Sequence, residues 1–250
     1  MNTLKKFYFL ASPKYFYDFA GKILPWLSCI TVILFIYGLI GGLYLAPPDY
    51  QQGNAFRIIY IHVPSAFLSL SIYVLMAFTA AIGWIWRIKL ADIIVQQSAS
   101  LGASFALLAL ITGSIWGKPM WGTWWVWDAR LTSELILFFL YCGYIALRSA
   151  IPHRDTASRA SSILLFVGIV NIPIIHYSVY WWNTLHQGAT LSLTEPSKIA
   201  PMMLYPLLAM ITAFIFYFAV ILLLRMRKEI LSREKKSEWV KEKFQAKSAP

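Results

Sequence analysis

Residues 115–134 read I-W-G-K-P-M-W-G-T-W-W-V-W-D-A-R-L-T-S-E, and the way this stretch is interpreted decides the fold. Five of the protein's eleven tryptophans, Trp116, Trp121, Trp124, Trp125 and Trp127, fall inside it. Gly117, Pro119 and Gly122 break it too often for an ordinary spanning helix, yet long apolar runs flank it on both sides. The expectation is a tryptophan-rich hinge between two membrane spans. Tryptophan collects at any membrane–water boundary, so an aromatic belt is one explanation. A belt scatters its rings, whereas here Lys118, Asp128 and Arg130 lie among closely spaced indoles. That combination also describes a surface for a large flat ligand with charged edges.

Outward from the hinge, the composition belongs to a membrane protein: 59% of the 250 residues are hydrophobic and only 13% are charged. The net charge of +11 would point to nucleic acid in a soluble protein. Here the basic residues sit in short segments between apolar runs, where they orient a chain in the bilayer, and nucleic-acid binding is excluded as a reading. Cys29 and Cys142 lie inside apolar runs without C-x-x-C spacing and read as small core residues. The first apolar run begins near Ile23 and lacks a small-residue cleavage site, so it is expected to remain as the first span.

The fold expected is an all-α polytopic membrane protein with six transmembrane helices over residues 23–45, 62–86, 93–115, 131–147, 162–181 and 203–224. At about 1.5 Å per residue each run nears the length needed to cross roughly 30 Å of hydrocarbon. Pro173 is expected to bend or weaken the fifth. Residues 1–22 form an interfacial lead-in, 23–224 the membrane domain and 225–250 a charged tail. With both termini in the cytoplasm, eighteen of the 22 Lys and Arg residues fall on that side and only Arg57, Lys118, Arg130 and Lys198 on the other. The positive-inside rule therefore places the hinge, His62 and His186 at the outer face.

Of the four histidines, His153 lies in a charged cytoplasmic turn and His176 within the fifth span, three residues after Pro173. His62 and His186 each lie at the outer end of a span or in an outer loop, so both can approach the hinge. Two imidazoles on opposite sides of an aromatic slot are what bis-axial ligation of a haem iron requires; two polar residues at helix ends is the plainer alternative. Haem propionates need cations, and Arg57, Lys118 and Arg130 are nearly the whole outer basic inventory. Asp128 and Glu134 have two possible roles, pairing with Arg130 or Lys118 or contacting a partner, and pairing is the default expectation. No nucleophile elbow, Walker loop, dinucleotide fingerprint or H-E-x-x-H motif is present, so an enzyme is not expected. A membrane redox enzyme would want further histidines deep in paired helices. A permease would want polar residues throughout its spans.

The segment from Trp116 to Glu134 closely resembles the WWD signature of the haem-handling proteins of cytochrome c maturation. Residues 50–64, Y-Q-Q-G-N-A-F-R-I-I-Y-I-H-V-P, and 171–188, N-I-P-I-I-H-Y-S-V-Y-W-W-N-T-L-H-Q-G, look like one branch of it, the haem exporter protein C (CcmC) family. The resemblance runs from about Pro25 to Leu224. It implies a protein of the bacterial inner (cytoplasmic) membrane that carries haem b as bound cargo at its periplasmic face. Its partners would be the ABC-transporter subunits CcmA and CcmB, the small membrane protein CcmD and the periplasmic haem chaperone CcmE. Carried over residue by residue, it implies iron ligands at His62 and His186. The platform would be Trp116, Trp121, Trp124, Trp125, Trp127 and Asp128, with Arg57 and Arg130 serving the propionates or the chaperone.

Overall fold

The computed structural model describes residues 12–188, 197 and 199–245. Among them the regular structure is helical throughout, and six helices are long and apolar enough to cross a membrane. Helix α1 (Pro13–Ile40) unwinds into a π-turn at Gly41–Leu45, and a 3-10 turn at Asn54–Ile58 leads into α2 (Ile59–Trp86). Then come α3 (Lys89–Trp121), α4 (Ala129–Ala150), α5 (Arg154–Gly168), α6 (Asn171–Trp181), α7 (Pro201–Arg233) and the short α8 (Glu238–Gln245). Helices α5 and α6 together make the fifth span.

Three helix ends differ from the sequence expectation, each for a local reason. Helix α1 starts at Pro13 rather than near Ile23. Proline pre-sets the first-turn dihedral, and Tyr17, Ala20 and Leu24 are buried, with the Arg227 guanidinium of α7 4.3 Å from the Tyr17 ring. The expected interfacial lead-in is thus, from Pro13 onward, the first turns of the same helix. Helix α3 runs through Gly117 and Pro119 to Trp121. The Trp121 ring lies so close over Gly117 that a Cβ there would meet it at 2.8 Å, which packs the last turn despite the proline. The stop comes at Gly122, whose φ of 76° is the left-handed conformation in which a helix ends cheaply. The tryptophan-rich stretch is therefore half helix and half loop. In the fifth span the break falls at Ile169–Val170, ahead of Pro173. Pro173 has no N–H to offer the Ile169 carbonyl four residues back, which instead accepts from the Ile172 N–H at 3.0 Å.

The core runs down the middle of the bundle, with Tyr60, Tyr73, Tyr141 and Tyr144 fully enclosed. At one end, Asp92 of α3 meets Arg148 of α4 at 2.6 Å and Arg233 of α7 at 2.9 Å, and accepts from the Ser158 hydroxyl of α5 at 2.8 Å. The other ion pairs among the described residues, Arg233–Glu229 and Lys243–Asp18, lie at this same end. The opposite end holds the tryptophan-rich stretch and no ion pair among the described residues. Opposite charges are thus tied together at one end of the bundle, and the indoles of the tryptophan-rich stretch gather at the other.

Candidate functional site

Four elements converge at the aromatic end: the start of α2, the last turns of α3, the start of α4, and the loop of residues 182–188 that follows α6. They enclose an open cleft of about 440 Å³, counting its open side, lined by His62, Gly113, Trp121, Trp125, Arg130, Glu134 and His186 among others.

His62 projects from the first α-helical turn of α2 onto α3. Gly113 makes room for it, since a Cβ there would stand 3.1 Å from the ring, and the Trp116 ring packs edge-on at 5.6 Å between centroids. Thr112 Oγ1 lies 3.0 Å from His62 Nδ1. That hydroxyl has one hydrogen and gives it to the Leu108 carbonyl at 2.6 Å, so towards His62 it accepts. The Nδ1 of His62 therefore carries the proton and Nε2 keeps its lone pair. His186 reaches the same state by another route: its Nδ1 lies 2.7 Å from the Gln187 carbonyl, which can only accept. The two ring centroids are 6.3 Å apart with a 39° angle between planes. Burial of the His186 imidazole, and after it the positive charge of Arg130, hold its pKa below the ordinary histidine value.

The charged residues do not pair with one another as expected from the sequence. Asp128 caps α4, accepting from the Leu131 N–H at 2.8 Å through Oδ1, and its Oδ2 accepts from the Thr184 hydroxyl. Glu134 is buried and accepts from the Ser69 hydroxyl at 2.7 Å. Lys118 donates to the Gly122 carbonyl at 3.0 Å and lies 5.9 Å from the Trp124 ring centroid. Arg130 donates through one Nη to the Ile175 carbonyl at 2.6 Å and has no acid within ion-pair distance among the described residues. Each carboxylate meets neutral donors closer at hand than any cation, because the helix end and the Ser69 hydroxyl present N–H and O–H groups directly. Among the described residues, Arg130 is the one guanidinium lining the cleft.

The expected site residues separate into those the fold gathers and those it does not. His62, His186, Trp121, Trp125 and Arg130 line the cleft. Trp125 Nε1 is buried without a hydrogen-bond partner among the described residues. Trp116 stands behind His62, its Nε1 donating to Gln52 Oε1 at 2.9 Å. Trp124 and Trp127 are exposed, the latter edge-on to Trp125 at 5.4 Å. Arg57 lies outside the lining: its three guanidinium nitrogens donate to the Gly42 carbonyl (2.7 Å), the Ala46 carbonyl (2.8 Å) and Asn54 Oδ1 (3.2 Å). His176 is exposed beside Tyr177, and His153 is exposed at the far end. Sequence reasoning passed over Thr112, Gly113, Ser69 and Thr184. Thr184 sits two residues before His186, the one cue that was available.

Comparison with known proteins identifies the family. The family model described as CcmC, Heme exporter protein C, matches residues 6–241. The Heme exporter protein C of Escherichia coli strain K12 is 52% identical over 233 residues, 93% of this chain and 94% of its own length. The Haemophilus influenzae protein of the same name is 48% identical, covering 92% of this chain and 94% of the relative. That of Bradyrhizobium diazoefficiens is 47% identical, covering 91% and 86%. With six apolar spans, an aromatic cleft between them and matches of this length and identity, the chain belongs to the Heme exporter protein C family.

Proposed function

We propose that this protein holds haem as cargo at the aromatic end of the bundle and delivers it for c-type cytochrome biogenesis, without catalysing a reaction on it. His62 and His186 are the iron ligands. The observation that carries this reading is their mutual geometry. An imidazole nitrogen binds a metal at roughly 2 Å, and with about 1.1 Å from nitrogen to ring centroid on each side, two trans imidazoles stand roughly 6 Å apart. The rings here are separated by 6.3 Å, and both keep the lone pair on Nε2.

The rest of the cleft fits a haem edge. Arg130 has donors left over for a propionate, whose carboxylate its planar fork matches. Trp125 Nε1 supplies a second buried donor that lacks an acceptor among the described residues, and the Trp121 and Trp125 rings offer flat apolar surface. Asp128 and Arg57 act on the framework instead. Glu134 supplies a buried acid at the cleft, without an ion pair among the described residues.

The name heme exporter borne by the relatives supports haem as the cargo and an assembly with transporter subunits of the CcmA and CcmB kind, with CcmD and with the chaperone CcmE as acceptor. The excess of Lys and Arg at the ionic end supports an inner-membrane orientation with that end in the cytoplasm and the cleft facing the periplasm. The test is an absorption spectrum of the purified protein beside His62→Ala and His186→Ala. Each substitution is expected to abolish the low-spin, two-nitrogen spectrum, and spectra unchanged in both variants would overturn the assignment.

A further inference from the structure

The two histidines are held in unlike ways. His62 belongs to a 28-residue helix and is boxed in by Thr112, Gly113 and Trp116 of the neighbouring helix. His186 stands in a loop. Among the described residues, the hydrogen bonds made by 183–188 are local apart from one, from the Thr184 hydroxyl to Asp128 Oδ2. The same Thr184 oxygen accepts from the His186 backbone N–H at 3.1 Å. One threonine therefore links the His186 backbone to a carboxylate that is itself immobilised as the cap of α4.

We infer that His186 is the exchangeable iron ligand of the pair, and that Thr184, acting through Asp128, is the positioning residue that keeps it opposite His62. The inference rests on the bis-histidine reading above. Breaking the Thr184–Asp128 bond frees the loop to carry His186 away while His62 still holds the iron. That gives a site that can release cargo to an incoming ligand on one face without first losing it altogether. The aspartate of the tryptophan motif thereby acquires a role that is neither contact with haem nor neutralisation of a cation: it connects the hinge to the loop carrying the second ligand.

Hydrogen exchange in the haem-free full chain reads the latch directly. Thr184→Val removes the hydroxyl with little change of shape, and the His186 amide is expected to exchange about ten- to a hundredfold faster, as befits a lost hydrogen bond to a charged group, with Thr184→Ser restoring protection. In the ferrous haem-loaded protein, carbon monoxide binds only after an imidazole leaves. Its binding is expected to accelerate by a similar factor in Thr184→Val and not in Thr184→Ser. His186→Ala should keep haem in a five-coordinate state on His62, whereas His62→Ala should lose most of it. A six-coordinate wild type in which Thr184→Val changes neither exchange at His186 nor the carbon monoxide rate overturns the inference and leaves the bis-histidine reading standing. A haem-loaded wild type lacking two nitrogen ligands overturns both.

Discussion

Thr112 Oγ1 lies 3.0 Å from His62 Nδ1 and, because its only hydrogen is given to the Leu108 carbonyl, decides which nitrogen of that ring carries the proton. Partners that orient a ligand in this way are commonly worth about 10–100-fold in metal affinity. Thr112→Val is expected to lower the haem content of purified protein by a factor in that range. Thr112→Ser, which keeps the hydroxyl, should stay near the wild type, and haem per protein by absorbance checks both.

His186 should titrate below the ordinary histidine value of about 6.5. Burial disfavours its cationic form, and the Arg130 charge disfavours it further. The neutral, ligating form therefore predominates above the depressed pKa and is lost only as the pH falls through it. Arg130→Gln removes a positive neighbour and is expected to move the midpoint upward. An NMR titration of the imidazole in haem-free protein measures the shift, and a midpoint that falls in Arg130→Gln would refute the electrostatic argument.

Arg57 should matter for folding rather than for cargo. The π-turn at Gly41–Leu45 and the following loop leave the Gly42 and Ala46 carbonyls to be satisfied by its guanidinium. Arg57→Gln is expected to cost about 1–3 kcal/mol, as for buried acceptors left unpaired, and to lower the thermal midpoint. Haem bound per folded molecule should not change. A selective loss of haem without loss of stability would instead give Arg57 a place at the propionates.

Ser69 and Glu134 form a buried pair at 2.7 Å. Ser69→Ala leaves the carboxyl without this donor and should destabilise by about 1–3 kcal/mol, whereas removing both polar partners is closer to neutral. Ser69→Ala/Glu134→Met is therefore expected to be more stable than Ser69→Ala alone. Thermal unfolding in detergent of the four proteins of the double-mutant cycle decides it.

Hydropathy and charge alone determined the six spans, because insertion into a bilayer depends on sums over twenty-odd neighbouring residues, which are local and additive. The tryptophan-rich stretch, His62 and His186 were legible for a related reason: an unusual local composition and a family resemblance both survive without coordinates. Helix ends were less so. Pro13, Pro119 and Pro173 each look like a breaker, yet the first starts a helix, the second is carried inside one by Trp121 packed on Gly117, and the third displaces the break to Ile169–Val170. Only tertiary structure decided that Trp121 and Trp125 line the cleft while Trp124 and Trp127 face outward, that Arg57 clamps carbonyls, and that Asp128 meets Thr184 rather than a cation. Those outcomes depend on which donor comes within about 3 Å of which acceptor after distant segments have packed, a distance that no local pattern encodes.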